Sequence, residues 1–224
     1  MEKPLFPAKC MRIAQGYNEG THKDSFAIDN ADIDTGISNI YAPFTGIIKK
    51  IYSNDANEVW LESIDKQEYP DGTIDYMTIM FAHDNDVSDL FVGKRINKGE
   101  VFYSEGTKGN TTGAHCHIEC GKGKFTSTGW HKNSANYWSI NNGKAPEDCL
   151  WIDDSIKIID NYGYNFKKIS TKPVDNNSQN TNDVDNSKKE EILKKTFIAP
   201  KSDLYGVYLK ENQKLIIEQV PKSS

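Results

Sequence analysis

Short runs of β-branched and aromatic residues alternate with polar turn signals along the first two thirds of the chain. Examples are the runs GII at 46–48, EVWLE at 58–62 and MTIMFA at 77–82, with the turn-rich segment YPDGT at 69–73 between the last two. Apolar runs bounded by Gly, Pro, Asn and Asp predict strands joined by turns. No helical period lasts beyond a couple of turns before residue 140. The pattern therefore predicts a mainly β domain over residues 1–168.

The composition changes abruptly after this domain. Residues 171–187 (TKPVDNNSQNTNDVDNS) contain almost no apolar side chain, so burial cannot offset the entropy lost on ordering them. We therefore predict a flexible linker at 169–188 and a small C-terminal element at 189–224. The segments 205–209 and 214–218 of that element have the pattern of a β-hairpin, which is marginally stable alone and needs a partner surface.

Composition and charge exclude some classes of partner. The chain has 224 residues, a formal net charge of −5 and only two arginines, Arg12 and Arg95. Contacts to phosphates need clustered Lys and Arg, so we expect no nucleic-acid partner. No apolar run is long enough for a signal-peptide core or a bilayer span. We therefore expect synthesis in a cytoplasm and no membrane insertion.

The four cysteines form no CxxC pair and no zinc-finger spacing. Cys116 and Cys120 would lie about 13 Å apart along one strand, which is too far for a disulfide between them. We therefore predict reduced, buried cysteines.

The sharpest candidate for chemistry is the segment TGAHCHIE at 112–119. On a strand, His115, His117 and Glu119 would share one face while Cys116 faces the other. Two imidazoles on one face can reach a single metal ion or substrate atom, and Cys116 would then be a core residue. The alternative is a pair of solvent-facing histidines on an edge strand.

Two earlier segments offer further ligands and catalytic groups. His22 precedes the alternating run that ends at Asp29, and an imidazole with a carboxylate suits zinc with an open coordination position. His83 ends an apolar strand, where it can donate a hydrogen bond to a developing oxyanion. The alternatives are an exposed loop histidine with a turn-forming aspartate at 22–29, and a half-buried structural residue at 83.

The order of these segments resembles that of the lysostaphin-like (LytM-type) zinc metallopeptidases. The shared, co-linear features are a His followed by an Asp, the segment APFTG at 42–46, a strand ending FAH at 81–83, a Gly-rich stretch and TGAHCH at 112–117. The resemblance covers roughly residues 10–150. It implies an antiparallel sheet with a groove lined by loops, and hydrolysis of peptide bonds in bacterial peptidoglycan.

The resemblance also implies roles for individual residues. His22, Asp29 and His117 would hold the zinc ion, and His115 and His83 would be the catalytic histidines. His115 would take a proton from water and pass it to the leaving amine, while His83 would hydrogen-bond the oxyanion. We expect Glu119 to be solvated rather than to orient a ligand.

The spacing of the first two ligands departs from the family pattern. Asp29 follows His22 by seven positions, whereas the usual spacing in the family is four. Asp24, Asp32 and Asp34 are therefore alternatives. Asp29 is preferred because the step from Ile28 to Asp29 reproduces the apolar-then-Asp pattern of the family.

With no recognisable secretion signal and with a linker leading to a small tail, the chain resembles a bacteriophage endolysin. Such an enzyme would reach the wall after holin-type release. A place in the phage particle is an alternative setting. An alternative function is a catalytically inactive LytM-type module that binds the wall or activates another hydrolase. Such modules characteristically lose zinc ligands, and here every expected ligand is present.

Truncation at residue 170 tests the domain boundary. The truncated chain should stay folded, bind zinc and cleave soluble wall fragments normally, because the linker separates the tail from the chemistry. It should clear intact cells more weakly, since the tail is expected to bind the wall or to pair two copies and so raise local concentration. Zinc analysis, a fragment-cleavage assay and turbidity measure these three properties. Loss of cleavage of soluble fragments would mean that the tail supports the peptidase fold.

Overall fold

The computed structural model describes residues 1–33 and 36–169 and two short strands further along the chain. It divides into two compact units, Met1–Pro173 and Val174–Ser224. The predicted linker, apart from Ile169, lies outside the described residues. In the second unit the described residues are β16 (Glu191–Ile192) and β17 (Gln213–Lys214), which pair in parallel. Most of the predicted hairpin also lies outside the described residues.

The first unit is mainly β, as the sequence predicts. It contains a 3-10 helix at Gly20–His22 and one short α-helix, α1, at Pro146–Cys149. Its strands are β1 Cys10–Gln15, β2 Ile28–Asn30, β3 Asn39–Tyr41, β4 Gly46–Tyr52, β5 Glu58–Ser63, β6 Gln67–Glu68, β7 Ile74–Asp75, β8 Met77–Ala82, β9 Arg95–Ile96, β10 Val101–Ser104, β11 Cys116–Lys122, β12 Trp130–Lys132, β13 Trp138–Ile140, β14 Gly143–Lys144 and β15 Lys157–Asp160.

Nine of these strands form one sheet. Its order is β15-β1-β2-β11-β8-β5-β4-β9, and β14 pairs with β11 beyond this path. The pairs are antiparallel except for β1 with β15, which run parallel. The pairs β3–β10, β6–β7 and β12–β13 form separate two-stranded sheets. The expectation of an antiparallel sheet is confirmed, with one parallel pair at its edge.

The middle of the large sheet is covered on both faces. On one face the side chains of Cys116, Ile118 and Cys120 are fully buried in the main core. This is the alternation expected of β11, and it confirms that Cys116 points into the core. On the other face Trp60 and Met80 join a second apolar cluster. Because strands covered on both faces bury every side chain, β8 is buried along its whole length and is apolar at every position except Thr78.

The four cysteines are free and buried, as predicted. One of them, Cys149, lies in α1, which brings it and the following Leu150 onto the main apolar cluster. The chain there also meets the N-terminal segment, where the Phe6 amide donates to the Trp151 carbonyl at 2.8 Å. Among the described residues, no helix has both the length and the apolar character needed to cross a membrane.

Ile79 and Ile159 give a matched test of where the stability of the sheet lies. Ile79, on β8, is 0% exposed, whereas Ile159, on β15, is 44% exposed. Ile79→Ala should cost about 2–5 kcal/mol of unfolding free energy, because it leaves a cavity in the core. Ile159→Ala should change the free energy by no more than about 0.5 kcal/mol, as exposed substitutions usually do. Chemical denaturation measures both, and equal losses would contradict the placement of the core.

Candidate metal centre

The sheet register sets His117 directly opposite Asp29. β11 lies between β2 and β8, and its residue His117 pairs with Asp29 on one side and with Ala82 on the other. Directly opposite residues of antiparallel strands have their Cβ atoms about 5 Å apart on the same face. His83 follows Ala82 at the end of β8. Three neighbouring strands therefore bring an imidazole, a carboxylate and a second imidazole together.

A compact turn returns the chain from His22 to β2. The 3-10 helix ends at His22, whose carbonyl oxygen accepts hydrogen bonds from both the amide and the hydroxyl of Ser25, each at 3.0 Å. Asp24, inside the turn, has a φ of 58°, a left-handed conformation that aspartate tolerates. The additional residues between His22 and Asp29 are thus absorbed in a turn. The longer spacing still lets the two side chains meet.

The side chains of His22, Asp29 and His117 converge on one point. The Asp29 Oδ1 lies 3.3 Å from the His22 Nε2 and 3.1 Å from the His117 Nδ1. The three donor atoms lie within 4.8 Å of one another. Two imidazole nitrogens and one carboxylate oxygen form a donor set typical of a divalent transition metal with an open position.

Two of the competing aspartates do not reach this point. Asp24 is exposed, and Asp32 accepts a hydrogen bond from the Ser38 hydroxyl at 2.7 Å in another part of the unit. Asp34 lies outside the described residues. Of the three candidates that the structure describes, Asp29 is the one that lies beside His22.

The imidazoles of His22 and His117 are each oriented by a hydrogen-bond partner on the ring nitrogen that does not face Asp29. His22 is 2% exposed, and its Nδ1 lies 3.0 Å from the Gly16 carbonyl oxygen. A carbonyl can only accept, so Nδ1 carries a proton, and Nε2 is the ring nitrogen that faces Asp29. His117 is oriented the other way, with its Nε2 3.2 Å from the Glu119 Oε1. Such partners on the far ring nitrogen accompany almost all metal-ligating histidines.

Glu119 is a partner of His117, so the expectation that it is solvated is wrong. Glu119 is 1% exposed. Its Oε2 accepts hydrogen bonds from the Ser139 hydroxyl at 2.7 Å and from the Ile140 amide at 2.6 Å. The reason is that β13 packs over this face of the sheet and covers the carboxylate. Local alternation indicated the face that Glu119 occupies, but not the distant segment that buries it.

Asp29 and His117 shift each other's pKa values in opposite directions. Burial alone would raise the pKa of Asp29, but hydrogen bonds from His117 and His22 outweigh it and hold that pKa well below its usual range. Burial likewise opposes a charge on His117, but its hydrogen bonds to Asp29 and Glu119 raise its pKa to about 10. A positive charge is thus favoured between these two carboxylates, which is the electrostatic setting that a bound cation requires.

His115 and His83 lie together beside the three converging side chains. Their ring centroids are 4.5 Å apart, and the His115 Nε2 is 3.6 Å from the Asp29 Oδ1. The Nδ1 of His115 donates to the Gly113 carbonyl oxygen at 2.8 Å. The Nδ1 of His83 donates to the Lys108 carbonyl oxygen at 2.7 Å. Each ring therefore presents its Nε2 lone pair in the neutral state.

The backbone of His83 is held in an unusual conformation. Its φ is 88°, which a bulky residue rarely adopts. The neighbouring loop packs closely there, because a Cβ atom on Gly106 would lie 2.1 Å from the His83 carbonyl oxygen. Burial, together with the nearby His117, lowers the pKa of His83 to about 4. Strained residues held by tight packing are common at functional sites.

An open cleft of about 220 Å³ lies over these residues. Besides His22, His83, His115, His117 and Asp29, it is lined by the loop residues Asn110 and Tyr137 and by Trp138 at the start of β13. The Asn110 amide donates to the Tyr137 hydroxyl at 3.2 Å, so two loops meet at its rim. His131 does not line the cleft; it is exposed, with its Nδ1 3.3 Å from the Asn141 Oδ1. These loop residues carry no sequence pattern that marks them in advance.

Comparison with known proteins finds distant likenesses. No family model matches the sequence. The chain is similar to Morphogenesis protein 1 of Bacillus phage B103, with 26% identity over 189 residues, which are 83% of this chain and 49% of that protein. The chain thus spans about half the length of this curated relative.

Two solved catalytic domains are similar to part of the chain. One is a mutant of the catalytic domain of the prophage-encoded protein EnpA from Enterococcus faecalis, with 20% identity, coverage of 55% of this chain and 91% of that chain, and a TM-score of 0.40. The other is the catalytic domain of the antimicrobial peptidase lysostaphin from Staphylococcus simulans, with 16% identity, coverage of 65% and 89%, and a TM-score of 0.37.

Replacing His117 tests the convergence of the three donor atoms. His117→Ala should remove the bound divalent metal, because it deletes one of three donors and leaves Asp29 without its neighbour. His131→Ala, which changes an exposed histidine outside the cleft, should leave the metal content unchanged. Elemental analysis after dialysis against zinc measures both. A His117→Ala protein that keeps its full metal content would contradict the assignment of the ligands.

Proposed function

We propose that the chain is a zinc-dependent endopeptidase that hydrolyses peptide bonds of bacterial peptidoglycan. The observation that carries the proposal is the convergence of His22, Asp29 and His117 in a cleft, with His115 and His83 beside them. These residues come from separate segments of the sequence, in the order found in lysostaphin-like peptidases. A fold that needed these side chains only for stability would have no reason to gather three imidazoles around one carboxylate, with a fourth imidazole beside them.

Zinc is the metal that this donor set suits. Two imidazole nitrogens and one carboxylate oxygen match the ligands of catalytic zinc sites that keep an open position. Structural zinc sites are closed and rich in cysteine, and Cys116 points away from the donors into the core. When bound there, zinc would lower the pKa of a water molecule toward neutrality and polarise a peptide carbonyl.

His115 is the group placed to move the proton. Its Nε2 lone pair faces the same point as the metal donors, at 3.6 Å from the Asp29 Oδ1. Its Nδ1 is held by the Gly113 carbonyl, so the ring can accept a proton at Nε2 without changing orientation. It would take the proton of the attacking water and later transfer it to the leaving amine.

His83 requires a proton before it can stabilise an oxyanion. Because its Nδ1 already donates to the Lys108 carbonyl, the neutral ring has no hydrogen at Nε2. The proposed donation from Nε2 therefore belongs to the protonated ring. Because the lowered pKa of about 4 keeps His83 neutral at neutral pH, the ring would have to receive this proton during the reaction. The neighbouring His115 ring, with its centroid 4.5 Å away, places a second proton-accepting nitrogen next to it. The two rings would share the role of holding the proton during the reaction.

The inactive LytM-type module is the weaker alternative. A module that only binds the wall or activates another hydrolase has no need for the proton-moving pair. Here His22 and His117 each have a hydrogen-bond partner on the ring nitrogen that does not face Asp29. His83 is held at a strained backbone angle. This arrangement supports an enzyme.

The setting we propose is the cell wall of a bacterium attacked by a bacteriophage. One setting is release as an endolysin, after holin-type opening of the membrane. The similarity to a phage morphogenesis protein favours a second setting, in which the enzyme is part of the phage particle. Whether purified particles contain the chain distinguishes the two. In either setting, the element at 189–224 would bind the wall or pair two copies.

Replacing His115 separates proton transfer from metal binding. His115→Ala should lower the rate of peptide cleavage by about a hundredfold or more, because general acid–base catalysis is lost. Its zinc content should stay at the wild-type level, since the three donors remain. Cleavage of purified cell walls, followed by mass spectrometry of the released fragments, measures the rate and identifies the bond. Loss of zinc from His115→Ala, with zinc retained in His117→Ala, would reverse the two roles.

A further inference from the structure

The orientation of His22 depends on one peptide group, the one that joins Gly16 to Tyr17. The carbonyl oxygen of this group accepts the hydrogen bond from the His22 Nδ1 at 3.0 Å. The amide nitrogen of the same group donates to the Tyr164 hydroxyl at 3.0 Å. Tyr164 is thus connected to His22 through a single planar peptide unit.

The parallel pair at the edge of the sheet brings Tyr164 to this place. β1 and β15 run in the same direction, with Cys10 opposite Lys157 and Arg12 opposite Asp160. The segments that follow the two strands therefore leave the sheet at the same end. The turn after β15 is closed by Asn161, whose side-chain amide donates to the Tyr164 carbonyl oxygen at 2.7 Å. This turn presents the Tyr164 ring to the segment after β1.

Packing around the peptide group leaves little freedom. The rings of Tyr17 and Tyr164 stack with centroids 4.5 Å apart and an interplanar angle of 7°. A Cβ atom on Gly16 would lie 2.2 Å from the Tyr164 hydroxyl, so no larger residue fits there without displacing that ring. The Gly16 amide donates to the Glu19 carboxylate at 2.9 Å, and the Tyr162 hydroxyl binds the same carboxylate oxygen.

We propose that Tyr164 is a positioning residue for the metal centre, acting on His22 through the Gly16–Tyr17 peptide group. The inference rests on the proposed zinc peptidase function. When the N–H of a peptide group donates a hydrogen bond, the peptide group becomes more polarised. Its carbonyl oxygen is then a stronger hydrogen-bond acceptor. A stronger bond to the His22 Nδ1 holds the ring with its Nε2 toward Asp29. Tyr164 lies outside residues 10–150, the part of the chain that resembles the peptidase family, so the positioning group belongs to the C-terminal extension of this domain.

Tyr164→Phe tests the proposal, because it removes the hydroxyl and keeps the stacked ring. The dissociation constant for zinc, measured on the full chain by competition with a chromophoric chelator, should rise about tenfold, the low end of the range for lost outer-shell partners. Tyr69→Phe is the matched control. It also removes a tyrosine hydroxyl that hydrogen-bonds to the backbone, here by donating to the Tyr76 carbonyl oxygen at 2.7 Å, and Tyr69 is a buried tyrosine away from the metal site. It should leave the zinc affinity unchanged.

A spectroscopic measurement separates positioning from general loosening of the fold. In the metal-free protein, the proton on the His22 Nδ1 should give a downfield NMR resonance, assigned by its loss in His22→Ala. This resonance should move upfield in Tyr164→Phe, because the bond to Gly16 weakens, and should stay in place in Tyr69→Phe.

The outcomes are distinct. An unchanged resonance and an unchanged zinc affinity in Tyr164→Phe would overturn the proposal, as would equal changes in Tyr69→Phe. A wild-type chain that binds no zinc would instead refute the proposed function. The resonance would then still decide whether Tyr164 acts on His22.

Discussion

Asp29 and His117 face each other across the ladder between β2 and β11, and the other groups of the site are arranged around this pair. The pairing depends on the alternation of β11, which directs Cys116 and Ile118 into the core and leaves His117 and Glu119 on the opposite face. A shift of one residue in this register would bury the histidine and expose the core, so the hydrophobic effect fixes the chemistry. The placement of the proposed ligands Asp29 and His117 is thus a consequence of core packing.

The electrostatic cost of this pair explains the surrounding hydrogen bonds. Two carboxylates, Asp29 and Glu119, lie on either side of the His117 ring. Without a cation, the His117 ring binds a proton and hydrogen-bonds to both carboxylates, which raise its pKa to about 10. A metal ion would displace this proton from Nδ1, so metal and proton compete for the same nitrogen. The second oxygen of Glu119 accepts hydrogen bonds from Ser139 and Ile140, and burial of this side chain without such partners would be costly.

Local sequence patterns predicted much of the fold but less of the candidate site. The mainly β fold, the strand alternation at 115–120 and the buried cysteines follow from periodicity and composition, which act over a few residues. The grouping of His22, Asp29, His117, His115 and His83 was predicted from a family resemblance, and their convergence could not be derived from spacing alone. Burial of Glu119 was missed because its cover comes from β13, about twenty positions away. The carbonyl partner of His83 was missed for the same reason, since Lys108 lies in a distant loop.

The two halves of the site are held by different kinds of structure, and this difference has a consequence for function. Asp29 and His117 lie on central strands, where neighbours on both sides restrict movement. His22 and His83 lie at element ends, and backbone carbonyls of loops orient their rings. Loop carbonyls shift more easily than strand pairs, since loops have fewer packed neighbours. The orientation of His22 is therefore the part of the ligand set most in need of external support. Such support is available from the C-terminal extension, because the parallel β1–β15 pair delivers the turn at 161–164 beside Gly16, where an antiparallel edge strand would have sent it to the opposite end of the sheet.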